Sequence, residues 1–274
     1  MQKTTASLLD NLPPADKRLA GRLLKKAARE INVPARMRVI SGALLGHPYM
    51  INPLIGSATE TEVFQPALAG FDCVTYVETV TALALASSVE EYLLLLREIR
   101  YVHGEVVWKR RHHYTVDWAR HNVRRGFLGN VTRGAEAVNR RKTLDLIRAL
   151  SPRIVSFDYF PKRRLKHVTE LFADGDLIFF VSTRRGLDVF HTGILMREGD
   201  AWRMRHAARS RGGVVEQDLC EFIAANRMPG FFVVRPRAVS RAEIENLKNA
   251  HTPDLHAHNA FSSAAQRAME SHNQ

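Results

Sequence analysis

The feature that most constrains this chain is a cysteine at the start of an apolar helix, followed far downstream by two histidines on adjoining strands. Phe71-Asp72-Cys73-Val74-Thr75 leads into a helical run that stays largely apolar from Val74 to Ala86. Downstream, Leu187-Asp188-Val189-Phe190-His191-Thr192-Gly193-Ile194-Leu195 alternates as a strand does. Glu198-Gly199-Asp200 then supplies a turn, and Trp202 to Ala207 reads as a returning strand. If Glu198 and Gly199 form a two-residue loop, Arg197 pairs with Asp200 and His191 falls directly opposite His206, with Cβ atoms about 4.5–5.5 Å apart. Period-two alternation puts Val189, His191 and Gly193 on one face, and Met204 and His206 share a face on the partner strand. The result is an imidazole pair in which one ring can act as base while the other fixes its tautomer.

The cysteine has its own local logic. A thiolate at a helix N-terminus faces unpaired backbone N–H groups and the positive end of the macrodipole. Such placement beside an imidazolium is expected to lower a thiol pKa from about 8.5 to roughly 3.5–7.5. The first-turn N–H groups can also donate to an oxyanion. A free cysteine alone is more often a small packed hydrophobe; the histidine register turns the reading toward a nucleophile. A cysteine before a helix, then histidines on strands, is the layout of a papain-like thiol hydrolase.

These residues resemble the NlpC-type cysteine peptidase superfamily, and within it the muramoyl-alanine amidase family long catalogued as a domain of unknown function. The matching stretches are Leu45-Gly46-His47-Pro48-Tyr49, Phe71 to Thr79, Ile99-Arg100-Tyr101, Arg111-His112-His113-Tyr114, Asp117-Trp118, Gly175-Asp176-Leu177-Ile178, Gly186 to Ile194 and His206-Ala207. They run in order from about residue 40 to 236. The resemblance implies a papain-like NlpC-type fold of the α+β class, with a nucleophile helix packed on an antiparallel sheet. It implies that Cys73 is the nucleophile, His191 the general base and His206 the residue that orients it. It further implies that Tyr49 shapes the cleft and that Asp72 helps to place the substrate. Arg111, His113, Asp117, Trp118 and Asp188 are carried over as candidate substrate-binding residues. Two positions depart from the pattern: His47 stands where a small or hydroxyl residue is usual, and Ala208 where serine often follows. The implied substrate is a peptidoglycan fragment, and the implied bond joins N-acetylmuramic acid to L-alanine. The same triad suits a γ-D-glutamyl endopeptidase, which would read a free L-alanine amine through the acid beside the nucleophile. A thiol acyltransferase on lipid would need an apolar tunnel, of which the sequence shows no sign.

Composition sets outer bounds. Three regions follow within the 274 residues: a basic helical extension over 1–34, a catalytic domain over 35–238, and a short helix with a polar tail over 239–274. In the first, an expected helix from Ala15 to Asn32 carries Leu19, Leu23, Leu24, Ala27, Ala28 and Ile31 as an apolar stripe, read as docking on its own domain in preference to a membrane surface. The catalytic domain is helical first, with Ser87 or Ser88 capping Val89 to Arg100, and strand-rich from Leu177 to Val234. Cys220 is expected on a helix from Glu216 to Asn226 as an inert packed thiol, and two cysteines make no disulfide framework. In the last region Ser240-Arg241-Ala242-Glu243 is a capping box opening a helix to about Asn249. Thr252 to Gln274 is polar and expected to be mobile; His256 and His258 there lack the cysteines or carboxylates that would complete a metal site, so no metal and no cofactor are expected.

Net charge near +12 attracts anionic polymers in general. Trp108, Tyr114 and Trp118 interleave with Lys109-Arg110-Arg111 and Arg120 to Arg125, so a nucleic-acid-binding protein is the alternative from a different class. Wall carboxylates, which arginine binds bidentately, are preferred, and no nucleic acid is expected. No apolar run is long enough to span a bilayer. Met1 to Ala15 lacks the pattern of a secretory signal, so the expectation is a cytoplasmic protein, or one exported by a signal-independent route with an immunity or secretion partner.

Overall fold

A computed structural model describes residues 8–251, with helices first and a sheet afterwards. The first helices are α1 (Pro14–Ala27), α2 (Val33–Ala43), α3 (Cys73–Leu85), α4 (Val89–Arg100) and α5 (Thr115–Arg124). Then come β1 (Leu128–Asn130), β2 (Val138–Leu144), β3 (Arg153–Pro161), the short α6 (Leu165–Val168), β4 (Leu177–Val181), β5 (Val189–Glu198), β6 (Ala201–Ala208), β7 (Gly213–Asp218), α7 (Leu219–Ala225) and β8 (Gly230–Pro236). All pairings of the eight-stranded sheet are antiparallel, in the order β2-β3-β8-β4-β5-β6-β7, with β1 joining β8. The fold is thus mixed helix plus antiparallel sheet.

The expected first helix stops early. The chain turns after Ala27, and Pro34 stands in the first turn of α2, where its missing N–H costs nothing. Asn32 leaves the expected helix and instead caps α2, its side chain accepting from Ala35 N at 2.9 Å. Ile31 is consequently 97% exposed, outside the stripe. Of the rest of the stripe, Leu23, Leu24 and Ala27 are buried and Leu19 is half-buried, with α1 against α2, α3 and α4, while Ala28 is exposed. Asp16 on α1 also accepts from Leu68 N at 2.9 Å.

Helix α3 is buried from Thr75 to Leu85, lying on β5 and β6 under the other helices. This explains its nearly unbroken apolar sequence: no face reaches water. Its one acid, Glu78, pairs with Arg100 of α4 at 2.8 Å, the two side chains being 4% and 2% exposed. The opposite sheet face carries Phe180, Leu195, Met204 and Phe231, packed with Leu165 of α6 and Phe222 of α7.

Two stretches differ from the sequence reading. The expected helix from Glu216 begins only at Leu219, because Gly213–Asp218 is taken up as strand β7 beside β6; Asp218 then caps α7 through Glu221 N. Cys220, expected to be packed, is exposed because α7 buries Leu219, Phe222 and Ile223 instead. Strands β2 and β3 form a hairpin ahead of the stretch expected to be strand-rich, which began at Leu177. In β2 only Leu144 is buried, so apolar alternation is missing there. In the separate unit that begins at Ser240, α8 (Arg241–His251) opens with the expected capping box: Ser240 Oγ accepts from Glu243 N at 3.2 Å, and Glu243 accepts from Ser240 N at 2.7 Å. The expected tail, with His256 and His258, lies outside the described residues. No described helix is long and apolar enough to cross a membrane.

Candidate active site

Cys73 is the first residue of α3, and its N-cap is Asp72. The Asp72 carboxylate accepts from Thr75 N at 2.7 Å while Thr75 Oγ1 accepts from Asp72 N at 3.0 Å. This reciprocal capping box fixes the helix start. The strand-like segment Pro48–Met50 runs alongside: Phe71 N donates to Pro48 O, Met50 N to Phe71 O and Tyr49 N to Gly212 O. Tyr49 is thereby held beside the nucleophile position. Burial raises its phenol pKa, reinforced by Cys73 and Asp72 and opposed by Arg209. Arg209, in the turn after β6, is thus a cation at the cleft that the sequence reading passed over. Its only signal was its place directly after Ala208, itself a departure from the family pattern.

The histidines meet as expected but in a different register. The loop is Gly199-Asp200, with Glu198 opposite Ala201. Gly199 has φ of +57°, the left-handed backbone that glycine adopts at low cost in a tight hairpin turn. The shift displaces the pairing by two residues, which preserves the face. His191 therefore reaches His206 diagonally, His191 Nε2 lying 2.6 Å from His206 Nδ1. A Cβ on Gly193 would sit 2.6 Å from Met204 Cγ, so glycine there keeps the shared face open. His191 stacks on Phe180 and on Phe222 of α7. Burial and the neighbouring ring push His191 down to about 3. Burial pushes His206 to about 4, opposed by Gln217 of β7. His206 Nε2 is buried with no hydrogen-bond partner at ordinary distance.

Both imidazoles pack against Phe222 of α7, and α3 lies against β5 and β6. The paired stretch of β5 and β6 ends at Ile194↔Arg205. Cys73 meets the sheet just past that point, its thiol hydrogen-bonded by the main chain of Thr192, next to His191. The backbone at Cys73 and Val74 also faces the sulfur. These contacts favour thiolate, yet burial first and Asp72 second push the thiol up to about 12. The expected depression of the thiol pKa is therefore reversed: desolvation outweighs the helix terminus, and both rings are neutral, so no imidazolium offsets it.

The other expected residues have defined places. Asp188 is buried, accepting from Val116 N at 2.7 Å and Val189 N at 2.8 Å, and so ties the start of α5 to the start of β5. Trp118 is also buried, its indole donating to Glu78 at 3.1 Å and its ring packing on Phe179. Arg111, His113 and Asp117 line a separate cavity of about 560 Å³, whose lining includes none of Tyr49, Cys73, His191 and His206. Arg111 pairs with Glu62 at 2.9 Å, His113 Nε2 lies 2.7 Å from Trp108 O, and Asp117 pairs with Arg153. Among the described residues, no group of three or more His, Cys, Asp or Glu side chains could hold a metal ion.

The family model described as N-acetylmuramoyl-L-alanine amidase-like matches residues 39–231. The chain belongs to this family. A solved N-acetylmuramoyl-L-alanine amidase from Bacteroides uniformis is similar at 26% identity, with a TM-score of 0.67 over 75% of this chain and 99% of that one. A Legionella pneumophila protein shares the fold at 21% identity, with a TM-score of 0.70 over 82% of this chain and 97% of that one. No curated protein matches the sequence.

Proposed function

We propose that this amidase-like chain is a cysteine-dependent N-acetylmuramoyl-L-alanine amidase of the papain-like, NlpC-type class, acting on peptidoglycan fragments. The observation that carries the reading is the 2.6 Å contact of His191 with His206 beside the strand position, Thr192, that binds the Cys73 thiol. With its proton on Nε2 and donated to His206 Nδ1, His191 keeps Nδ1 free as a base. Resting thiol and imidazole are both neutral. Cys73 therefore attacks the lactyl carbonyl as His191 takes its proton, and the first-turn N–H groups receive the oxyanion. The tetrahedral intermediate collapses to a thioester; the C–N bond breaks, and His191 returns the proton to the leaving L-alanine amine. Water, deprotonated by the same ring, then releases the muramyl acid and regenerates the thiol. In this reading Tyr49 and Asp72 wall the cleft, while Arg111, His113 and Asp117 contact more distant parts of the fragment. Trp118 and Asp188 hold α5 in place for them.

The test is incubation with purified muropeptides in reducing buffer, products read by mass spectrometry, with Cys73→Ala as control. Free sugar and an intact stem peptide, absent with the variant, is the expected result. Cleavage inside the stem would replace this activity with the γ-D-glutamyl endopeptidase. No cleavage, or equal cleavage by the variant, would overturn the reading.

A further inference from the structure

The cavity beside α5 holds a feature that the proposed chemistry does not use. His103, His112 and His121 gather there: the His112 and His121 ring centroids are 4.6 Å apart, and those of His103 and His121 are 5.7 Å apart. His121 is only 7% exposed, and its Nε2 is buried without a hydrogen-bond partner. His112 Nε2 is likewise buried and unpartnered. A buried polar atom left without a partner is costly, so two in one cavity call for an explanation. The surrounding charge indicates what could satisfy them. Lys109, Arg111, Arg124 and Arg153 line the cavity against a single lining acid, Asp117. Counting Glu62 with Arg111 still leaves an excess of two positive charges. Among the described residues, Lys109 and Arg124 form no ion pair. Such a field repels a metal cation and attracts an anion.

We propose that this cavity is an oxyanion-binding site, in which His112 and His121 donate from Nε2 to a carboxylate or phosphate group whose charge Lys109 and Arg124 balance. Neutral imidazoles suffice, because each has one N–H to give. Charge-assisted bonds from the flanking cations hold the group in place. The proposed function lets this cavity meet a distant part of the fragment through Arg111, His113 and Asp117, but nothing in the argument requires Cys73 to be a nucleophile, so anion binding and hydrolysis can fail separately.

Calorimetric titration of the full chain tests it, with inorganic phosphate in one arm and the dipeptide L-alanyl-γ-D-glutamate in another, against a chloride control at matched ionic strength. The variants are Arg124→Gln, His121→Phe and Cys73→Ala, each checked for folding by circular dichroism. Saturable binding in either arm is expected; the arm that binds identifies phosphate or carboxylate as the source. Arg124→Gln, an exposed position with little bearing on the fold, should weaken binding about tenfold. His121→Phe should remove it, and Cys73→Ala should leave it unchanged. No saturation up to roughly 20 mM in either arm, or unchanged binding by Arg124→Gln, overturns the proposal. So does saturable zinc binding without anion binding, which would make the histidines a metal site.

Discussion

Alkylation of Cys73 is the sharpest test of how this site is poised at rest. The thiol is pushed up to about 12, three pH units above its ordinary value of 9.0. At pH 7 the thiolate fraction is then about 1,000-fold smaller than in a free cysteine. A more basic thiolate is intrinsically more nucleophilic; with a Brønsted slope of 0.4–0.5, three units return about 16- to 30-fold. Iodoacetamide should therefore label Cys73 roughly 30- to 60-fold more slowly than a free thiol. The assay is timed labelling of folded protein, quenched, digested and read peptide by peptide. Cys220, which is exposed, reports on reagent access in the same sample. Because the ring is neutral, labelling should rise tenfold per pH unit across neutrality, with no plateau. Rapid labelling of Cys73 that levels off below pH 6 and is lost with His191→Ala would show a preformed thiolate–imidazolium pair. That result would refute the neutral resting site.

Three further outcomes follow from the geometry. Glu78→Gln leaves the Arg100 guanidinium buried without its counter-charge and should cost about 3–5 kcal/mol in urea denaturation, with a smaller loss when Arg100→Met is added; additive losses would show that the pair is not coupled. Gly193→Ala forces a methyl against Met204 and should cost about 1–3 kcal/mol while lowering kcat through the displaced imidazoles; wild-type stability and kcat would remove the steric argument. Burial pushes His112 and His191 to about 3 and His121 and His206 to about 4. Below pH 6.5 the unfolded chain binds protons that the folded one refuses. Stability present above pH 6.5 should therefore fall toward pH 4, by up to about 1.4 kcal/mol per pH unit for each ring. The raised pKa values of Glu78, Asp176 and Asp188 act in the opposite sense. Equal urea midpoints at pH 7 and 4.5 would contradict the neutral buried rings.

What the sequence disclosed depended on how local the cause was. The cap at Ser88, which accepts from Glu91 N, and the box at Ser240 are set within four residues, and both were legible. Helix α3 was legible because a run buried on every side is apolar throughout. The imidazole pair was legible as a shared face but not as a pairing, because Glu-Gly-Asp permits two loops that differ by an even shift. Strand β2 was missed because its side chains are polar and its pairing with β3 comes from the fold. The thiol's raised pKa was missed because its desolvation where α3 meets β5 is a tertiary property. His103 and His121 stand 18 positions apart, and the turn after α4 together with α5 brings them into register.

The hairpin turn has a practical consequence. Gly199 and Asp200 lie at a tip where a side chain on Gly199 would touch nothing. Extra residues there would lengthen a loop in solvent while both strands kept their frames, so a reporter peptide could be grafted between them with the histidines undisturbed. One residue added between Trp202 and Arg205 is a different matter. Unless absorbed as a bulge, it would turn His206 through the sheet to the side of Arg205 and away from His191. A single-residue insertion scan along this ribbon would therefore map the site without replacing any of its side chains.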